Sequence, residues 1–410
     1  MSGETARRQT PPALPPTPDF DHYPVTETIA AVEPEGDGRI LALVWSDGRQ
    51  SRYHAVWLRD NASDPEVMNL ETREAWTDVT ALPPDPHIAA AAVDAAGALE
   101  VRWAEEPFVT RYHPGWLRAH DYSNPSETRS DDPAEIAPVL WDAHLAEPPS
   151  FGGATILDDD GILESWLEAI AAYGIARLRC VPCEPGMVTR VAERIGPLRV
   201  SNFGRVFDVR VKTGPGSNAY TDKALTPHTD LPTREYEPGL QFLHCLEASP
   251  MGGRAVMVDG HKAAAVIAER DPAAYKALTE IPWPMTNRAP DSDYRWEAPV
   301  ICLDDEGAVK ELRAAPFLRA PINCAFDEIE EAYRALRVFF ATIAEPDLQL
   351  VFDYRPGDLI GMDNRRLLHG REAYDSAAGE RWLQGCYGER EELHSRLRVL
   401  ARRRREAEST

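Results

Sequence analysis

The strongest constraint on the fold is that the residues able to do chemistry sit at the ends of short, apolar, strand-like segments. His228, Thr229 and Asp230 form an H-x-D triplet in TPHTDLPTREYEPGLQFLHCL; His369 follows an apolar run in DNRRLLHGREAY; Arg381 opens RWLQGCYG twelve residues later. Residues two apart on an extended segment project to the same side, so His228 and Asp230 can hold one ion, a strand-end hydrogen bond being the other reading of an H-x-D taken alone. His369 is the third expected ligand, with Gly370 beside it permitting close backbone approach. Two imidazoles and one carboxylate make the facial triad of a non-haem Fe(II) site, which keeps three coordination positions open for a co-substrate and O2. Alternation along the last strand sends Arg381, Leu383 and Gly385 to one face. An arginine on an inward face needs an anion, and its planar fork suits a carboxylate held by two hydrogen bonds, whether of a bound acid or of a local one such as Glu380 or Asp375.

The surrounding pattern is that of a β fold with helices outside it. Residues 1–20 are Pro-rich and polar and are expected to be a disordered lead. Residues 21–120 read as a small β-rich unit, in which RILALVWSDG, RQSRYHAVWLRDN and ALEVRWAE are strands broken by DG and AG turns. Residues 121–149, rich in Pro and Asp, read as a linker. In residues 150–400 strands are expected in IARLRCV, GLQFLHCLEA, GRAVMVDG, LQLVFDYRPGDLIGMDN and RWLQGCYGE. GILESWLEAIAAYG, MVTRVAERIG, HKAAAVIAERDPAAYKAL and AFDEIEEAYRALRVFFATIA carry apolar residues every three or four positions and read as helices. Strands carry the ligand-bearing ends and helices buttress them. The expected architecture is therefore mainly β with flanking helices: a double-stranded β-helix (jelly roll) catalytic domain, preceded by a small β-rich N-terminal domain and followed by a basic tail at 401–410.

Composition narrows the partners. The 410 residues suffice for two cores, and no run of about 18 apolar residues occurs. MSGETARRQTPPALPPTPDF lacks the apolar centre of a signal peptide, so a cytoplasmic location and no membrane partner are expected. A net charge of −23 argues against nucleic acid as main partner, and the basic tract Arg396, Arg398 and Arg402 to Arg405 reads as a solvated helix end. All six cysteines follow residue 179 without a disulfide pattern, as expected of reduced thiols. Cys180 and Cys183 form a single CxxC without the second pair that a zinc site needs; structural burial, redox chemistry and incidental metal binding all stay open for them.

HTDLP, then EYEPGLQFLHCL, GGRAVMVDG, PGDLIGMDNRRLLHGREAYD and RWLQGCYGE, in this order, resemble the gamma-butyrobetaine hydroxylase and trimethyllysine hydroxylase branch of the taurine-dioxygenase-like 2-oxoglutarate oxygenases. RYHAVWLRDN and RYHPGWLRAH resemble the small N-terminal domain of that family. The resemblance implies that His228, Asp230 and His369 hold Fe(II), that Arg381 grips the distal carboxylate of 2-oxoglutarate with Leu243 also at that site, and that ascorbate serves as reductant in assays. It implies that O2 and 2-oxoglutarate give succinate and CO2 while a C–H bond of a small-molecule substrate is hydroxylated, and that the enzyme is a homodimer. Asp230 argues against halogenation, because related iron halogenases lack the carboxylate.

The family cages a trimethylammonium head in aromatic rings, and the matching positions are Phe203, Phe207, Tyr220 and Tyr387. From spacing alone, the same rings could equally be core. At the family's polar substrate contact Ser217 is the matching residue, with Asn218 displaced from it by one position. KELRAAPFLRAP, by contrast, has Arg313 and Arg319 where members acting on gamma-butyrobetaine are Asn-rich. The default substrate is thus a small quaternary-ammonium acid, gamma-butyrobetaine giving carnitine; a trimethylaminophosphonate, trimethyllysine or another amino-acid-like molecule is the alternative. Many relatives bind zinc through cysteines after LRDN and a later histidine; LRDNASDPEV and Phe108 replace these here, so no zinc is expected, and Trp57, Trp103 and Trp116 would hold the domain by packing. Two rival classes are weaker: a zinc hydrolase would lack a general-base motif such as HExxH, and a binding module would have no use for three ligands and Arg381.

Overall fold

The computed structural model describes residues 13–76, 78–124, 132–211 and 221–408. The chain divides into two compact units, one running to Asp132 and joined by the residues from Arg404 onward, the other Pro133–Arg403. The expected linker at 121–149 is thus divided at residue 132. Its second part packs into the larger unit, where Trp141 is buried and donates from its indole to the Tyr173 carbonyl at 2.6 Å.

In the first unit β1 (Ile29–Glu35), β2 (Ile40–Trp45) and β3 (Gln50–His54) form one sheet, and β4 (Ile88–Val93), β5 (Leu99–Trp103) and β6 (Val109–Tyr112) another. Alternation buries Leu41, Leu43 and Trp45 of β2 and Leu99, Val101 and Trp103 of β5 in one core with Trp116. Trp57 stacks on Trp116 with ring centroids 5.2 Å apart. RQSRYHAVWLRDN is not a strand throughout: after β3, Ala55–Asp60 coils into helix α1, whose apolar side buries Ala55 and Leu58. Residues 13–20, expected to be disordered, are tied down, with Ser63 donating to the Pro16 carbonyl at 2.7 Å and Arg111 to that of Ala13 at 3.1 Å. The first twelve residues lie outside the described ones. The Phe108 ring lies 4.9 Å from the Arg59 guanidinium, which pairs with Glu106. Pro114–Ala119 forms α2, with Pro114 in its first turn, where a missing N–H is harmless.

The second unit runs β7 (Ser150–Gly152), α3 (Asp160–Tyr173), β8 (Ile175–Arg179), α4 (Met187–Glu193), β9 (Phe207–Val209), β10 (Leu225–His228), β11 (Leu240–Glu247) and β12 (Ala255–Asp259). Then follow α5 (Gly260–Arg270), α6 (Pro272–Glu280), the hairpins β13 (Trp283–Ala289) with β14 (Ser292–Ala298) and β15 (Ile301–Leu303) with β16 (Val309–Leu312), and α7 (Ile329–Ile343). It closes with β17 (Leu350–Phe352), β18 (Leu359–Asp363), β19 (Leu367–Arg371), β20 (Trp382–Gly388) and α8 (Arg390–Glu408), of which the part up to Arg403 belongs to this unit.

Two sheets make the jelly roll: a six-stranded one in the order β7, β8, β18, β11, β20, β9 and a four-stranded one in the order β10, β19, β12, β17. Only β7 and β8 run parallel within them. Period-two alternation sorts the side chains into three layers. Leu243 and Cys245 of β11, Met257 of β12 and Ile360 and Met362 of β18 fill the space between the sheets. Leu240, Phe242 and Cys386 face α3, α4 and α8 on one outside, and Val258 and Leu368 face α5, α6 and α7 on the other. Gly361 is required where α3 lies on β18, since a Cβ there would come within 2.6 Å of Trp166 and Ile170.

Three expectations need correction. HKAAAVIAERDPAAYKAL is two helices, because Asp271 caps α6 through the Ala274 N–H and Pro272 has no N–H to continue α5. LQLVFDYRPGDLIGMDN is two strands in different sheets, turned between them at Arg355–Asp358 with Gly357 at φ +86°. The basic tail is part of α8, which stays helical to Glu408.

Candidate active site

Antiparallel register makes His228 of β10 the direct partner of His369 of β19, which in turn faces Met257 of β12. Asp230 follows two residues after His228, beyond a strand end. Ligand atoms of His228, Asp230 and His369 all lie within 4.8 Å of one another, the one such grouping among the described residues. The Asp230 Oδ1 oxygen is 3.4 Å from His228 Nε2 and 3.7 Å from His369 Nε2.

The protonation states fit a divalent metal. His228 Nδ1 lies 2.9 Å from the Thr226 carbonyl, so that nitrogen carries the proton and leaves the Nε2 lone pair toward Asp230. Burial, with the His228 ring adding to it, brings the His369 pKa down to about 4, which keeps the imidazole neutral. Burial pushes the Asp230 carboxyl upward, but His369, His228 and Tyr387 together hold it well below the ordinary carboxylate range. Two imidazole nitrogens and one carboxylate suit Fe(II).

Asp230 is fixed from several sides. The side-chain amide of Asn364 accepts from the Asp230 N–H at 2.7 Å and donates to its carbonyl at 3.0 Å, as a neighbouring strand would. The next residue, Leu231, holds φ at +59°, a strained value for a non-glycine residue. Gln241 and the Tyr387 hydroxyl each donate to Asp230 Oδ2 at 2.7 Å, leaving Oδ1 toward the histidines.

These groups border a cavity of about 400 Å³, within the usual range for small-molecule sites. One wall is aromatic: Phe203 and Phe207 have ring centroids 6.3 Å apart, and Phe207 and Tyr387 5.0 Å. Another carries Arg381 with Leu243 and Leu383 beside it. Arg381 is 6% exposed, lies 5.9 and 5.7 Å from the Tyr354 and Tyr374 rings, and forms no ion pair with a carboxylate among the described residues; burial lowers its pKa. A buried guanidinium in this setting can receive an anion from the cavity. Arg371, two residues beyond His369 and on the same face, also lines it.

Ser217, Asn218 and Tyr220 lie outside the described residues. Arg313 and Arg319 do not reach the cavity: Arg313 is buried against Glu311 and the carbonyls of Arg234 and Glu235, and Arg319 donates to the Pro316 carbonyl. Asn287 and Arg288 of β13 border it instead, as does Phe317, whose ring is 5.0 Å from that of His228. Cys180 and Cys183 are both exposed. Gln241 and Asn364 had a signal in the sequence: Gln241 is two residues before Leu243 and so shares its face, and Asn364 ends the DLIGMDN strand. The β13 hairpin had none.

Residues 141–387 match the model of the taurine catabolism dioxygenase TauD, TfdA family, and residues 33–118 that of the gamma-butyrobetaine hydroxylase-like N-terminal domain. The chain is 42% identical to a gamma-butyrobetaine dioxygenase of Pseudomonas sp. (strain AK-1), over 94% of this chain and 99% of that protein. It is 28% identical to the human gamma-butyrobetaine dioxygenase over 92% and 98% of the two chains. A mitochondrial trimethyllysine dioxygenase of Mus musculus is also 28% identical, over 86% and 84%. With a facial triad at the mouth of a jelly roll, and with these matches over nearly its whole length, the chain belongs to the taurine catabolism dioxygenase TauD, TfdA family and is a dioxygenase.

Proposed function

We propose that this dioxygenase uses Fe(II) and 2-oxoglutarate to hydroxylate a small quaternary-ammonium acid, with gamma-butyrobetaine giving carnitine as the leading case. The observation that carries the reading is the placement of His228, Asp230 and His369 between a buried Arg381 and the aromatic wall of Phe203, Phe207 and Tyr387 around one cavity. The 42% identity to a gamma-butyrobetaine dioxygenase supports the substrate class.

Bound Fe(II) supplies the redox chemistry by which substrate, 2-oxoglutarate and O2 become hydroxylated substrate, succinate and CO2. His228, Asp230 and His369 would hold the metal. Arg381 receives the distal carboxylate of 2-oxoglutarate, and Leu243 and Leu383 pack along the chain of the co-substrate. Phe203, Phe207 and Tyr387 take the trimethylammonium head by cation-π attraction and exclude water from it; Tyr220 is proposed to complete that end, and Ser217 and Asn218 to contact the acid end. Asn287 and Arg288 face the acid end.

Trimethyllysine is the second reading, supported by the 28% identity to a mitochondrial trimethyllysine dioxygenase of Mus musculus. No helix among the described residues is long and apolar enough to cross a membrane, and the six free cysteines support a cytoplasmic enzyme. The homodimer implied by the resemblance is checked by light scattering.

The deciding experiment is succinate release with Fe(II), ascorbate and 2-oxoglutarate against a panel of betaines, trimethyllysine, a trimethylaminophosphonate and unmethylated amino acids. Gamma-butyrobetaine should stimulate release most, with one oxygen atom added to it by mass spectrometry. Stimulation by unmethylated amino acids alone would overturn the substrate class.

A further inference from the structure

Gln241 of β11 and Tyr387 of β20 are direct cross-strand partners, and both side chains converge on the same oxygen, Asp230 Oδ2, at 2.7 Å. Asp230 belongs to the chain leaving β10, in the other sheet. The two hydrogen bonds therefore join the sheets at the mouth of the roll and fix which carboxylate oxygen points where. Oδ1 faces both imidazoles; Oδ2 is held away from them. Tyr387 does a second thing at once, since its ring borders the cavity 5.0 Å from Phe207.

We propose that Gln241 and Tyr387 are positioning residues that hold Asp230 to one-oxygen coordination, and that Tyr387 transmits occupancy of the aromatic wall to the metal carboxylate. The transmission step rests on the substrate reading above; the positioning step does not.

The physical case begins with a count. A six-coordinate metal with two imidazoles and one carboxylate oxygen keeps three positions. A chelating 2-oxo acid fills two, and O2 needs the third. If Asp230 turned so that both oxygens reached the metal, only two positions would remain and O2 would have none. A carboxylate oxygen that already accepts two hydrogen bonds, one from an amide and one from a phenol, has little capacity left for a metal. Phe in place of Tyr387 would keep the wall and lose one of these bonds. Transmission follows because the Tyr387 ring is rigid: a cation against its face cannot move the ring without moving the hydroxyl on Asp230.

The test uses the full-length protein without oxygen, first with Fe(II) alone and then with 2-oxoglutarate and trimethylated probes. Tyr387→Phe and Gln241→Met should each bind Fe(II) about tenfold more weakly than wild type, the equivalent of one lost charge-assisted hydrogen bond. In Tyr387→Phe, gamma-butyrobetaine should still bind within about threefold of wild type, while the shift it causes in the visible charge-transfer band of the Fe(II) and 2-oxoglutarate complex should be lost. Turnover of that variant should release succinate in excess over hydroxylated product. Gln241→Glu, which puts a carboxylate in place of the donor, should weaken Fe(II) binding further than Gln241→Met. Wild-type Fe(II) affinity in both Tyr387→Phe and Gln241→Met would overturn the positioning role. An unchanged substrate-induced band shift in Tyr387→Phe would overturn the transmission. A trimethylated probe that shifts the band in neither wild type nor variant would count against the substrate reading and the transmission step together, while the Fe(II) titrations still decide the positioning.

Discussion

His228 and His369 face each other across the β10 and β19 pair, with ring centroids 4.4 Å apart, so one antiparallel register sets the spacing of both imidazole ligands. A one-residue slip of β19 would turn His369 outward, toward the helices that now cover Leu368, and would empty the site. The metal centre is in this sense a property of a strand pairing as much as of three side chains.

Replacing any one of the three should therefore remove the metal without removing the fold. Asp230→Ala and His369→Ala should show no substrate-dependent succinate and no retained iron, with the secondary structure of wild type by circular dichroism. Full activity in either variant would take that residue out of the ligand set.

Arg381→Ala removes the buried cation assigned to the co-substrate. Loss of a charge-assisted two-point contact amounts to about 2 to 3 kcal/mol, on the order of a hundredfold in 2-oxoglutarate affinity. Titration of 2-oxoglutarate into the Fe(II)-loaded variant measures this, and an unchanged affinity would assign the anion to another group, Arg371 first.

Phe207→Leu keeps bulk on the aromatic wall and removes the ring face. Binding of a trimethylated substrate should weaken by about 1 kcal/mol, roughly fivefold, while its demethylated amine analogue should bind no worse than before. Calorimetric titration of both analogues separates the two cases, and equal losses would mean that Phe207 contributes packing alone.

In the first unit Arg59, 5% exposed, pairs with Glu106 and lies against Phe108. Arg59→Ala leaves the Glu106 carboxylate without its partner and should destabilise that unit by about 3 kcal/mol, read as a lower denaturant midpoint. Glu106→Gln should cost less, because a neutral amide can remain bonded to Arg59. Elemental analysis of the wild type should find no zinc bound to this unit.

Acid should destabilise the protein through histidines remote from the metal. Burial lowers His244 to about 4, and burial with Arg366 does the same to His261. Between that value and the unfolded pKa of about 6.5 the unfolded chain binds more protons, so stability is complete above 6.5 and is lost as pH falls toward 4. His244→Leu should remove about 2 kcal/mol of the loss between pH 7 and 5. Denaturant midpoints at the two pH values check this, and parallel pH dependences in variant and wild type would show that His244 is not a contributor.

Much of this was legible in the amino-acid order. The period-two runs of β11, β12 and β20 and the H-x-D triplet announce strands whose inward faces carry Leu243, Met257 and Arg381, because side-chain alternation is a local property of extended backbone. Trp57, Trp103 and Trp116 likewise announce the core of the first unit, through burial of large apolar surface. What the sequence could not express is pairing between distant segments. That Arg313 is spent on Glu311 and on the carbonyls of Arg234 and Glu235, that the β13 hairpin supplies Asn287 and Arg288, and that Gln241 and Tyr387 meet on a single oxygen of Asp230 all follow from sheet register and sheet-on-sheet packing. Local sequence sets which way each side chain points along its own strand; only closure of the two sheets decides which of those side chains end up within hydrogen-bonding distance of one another.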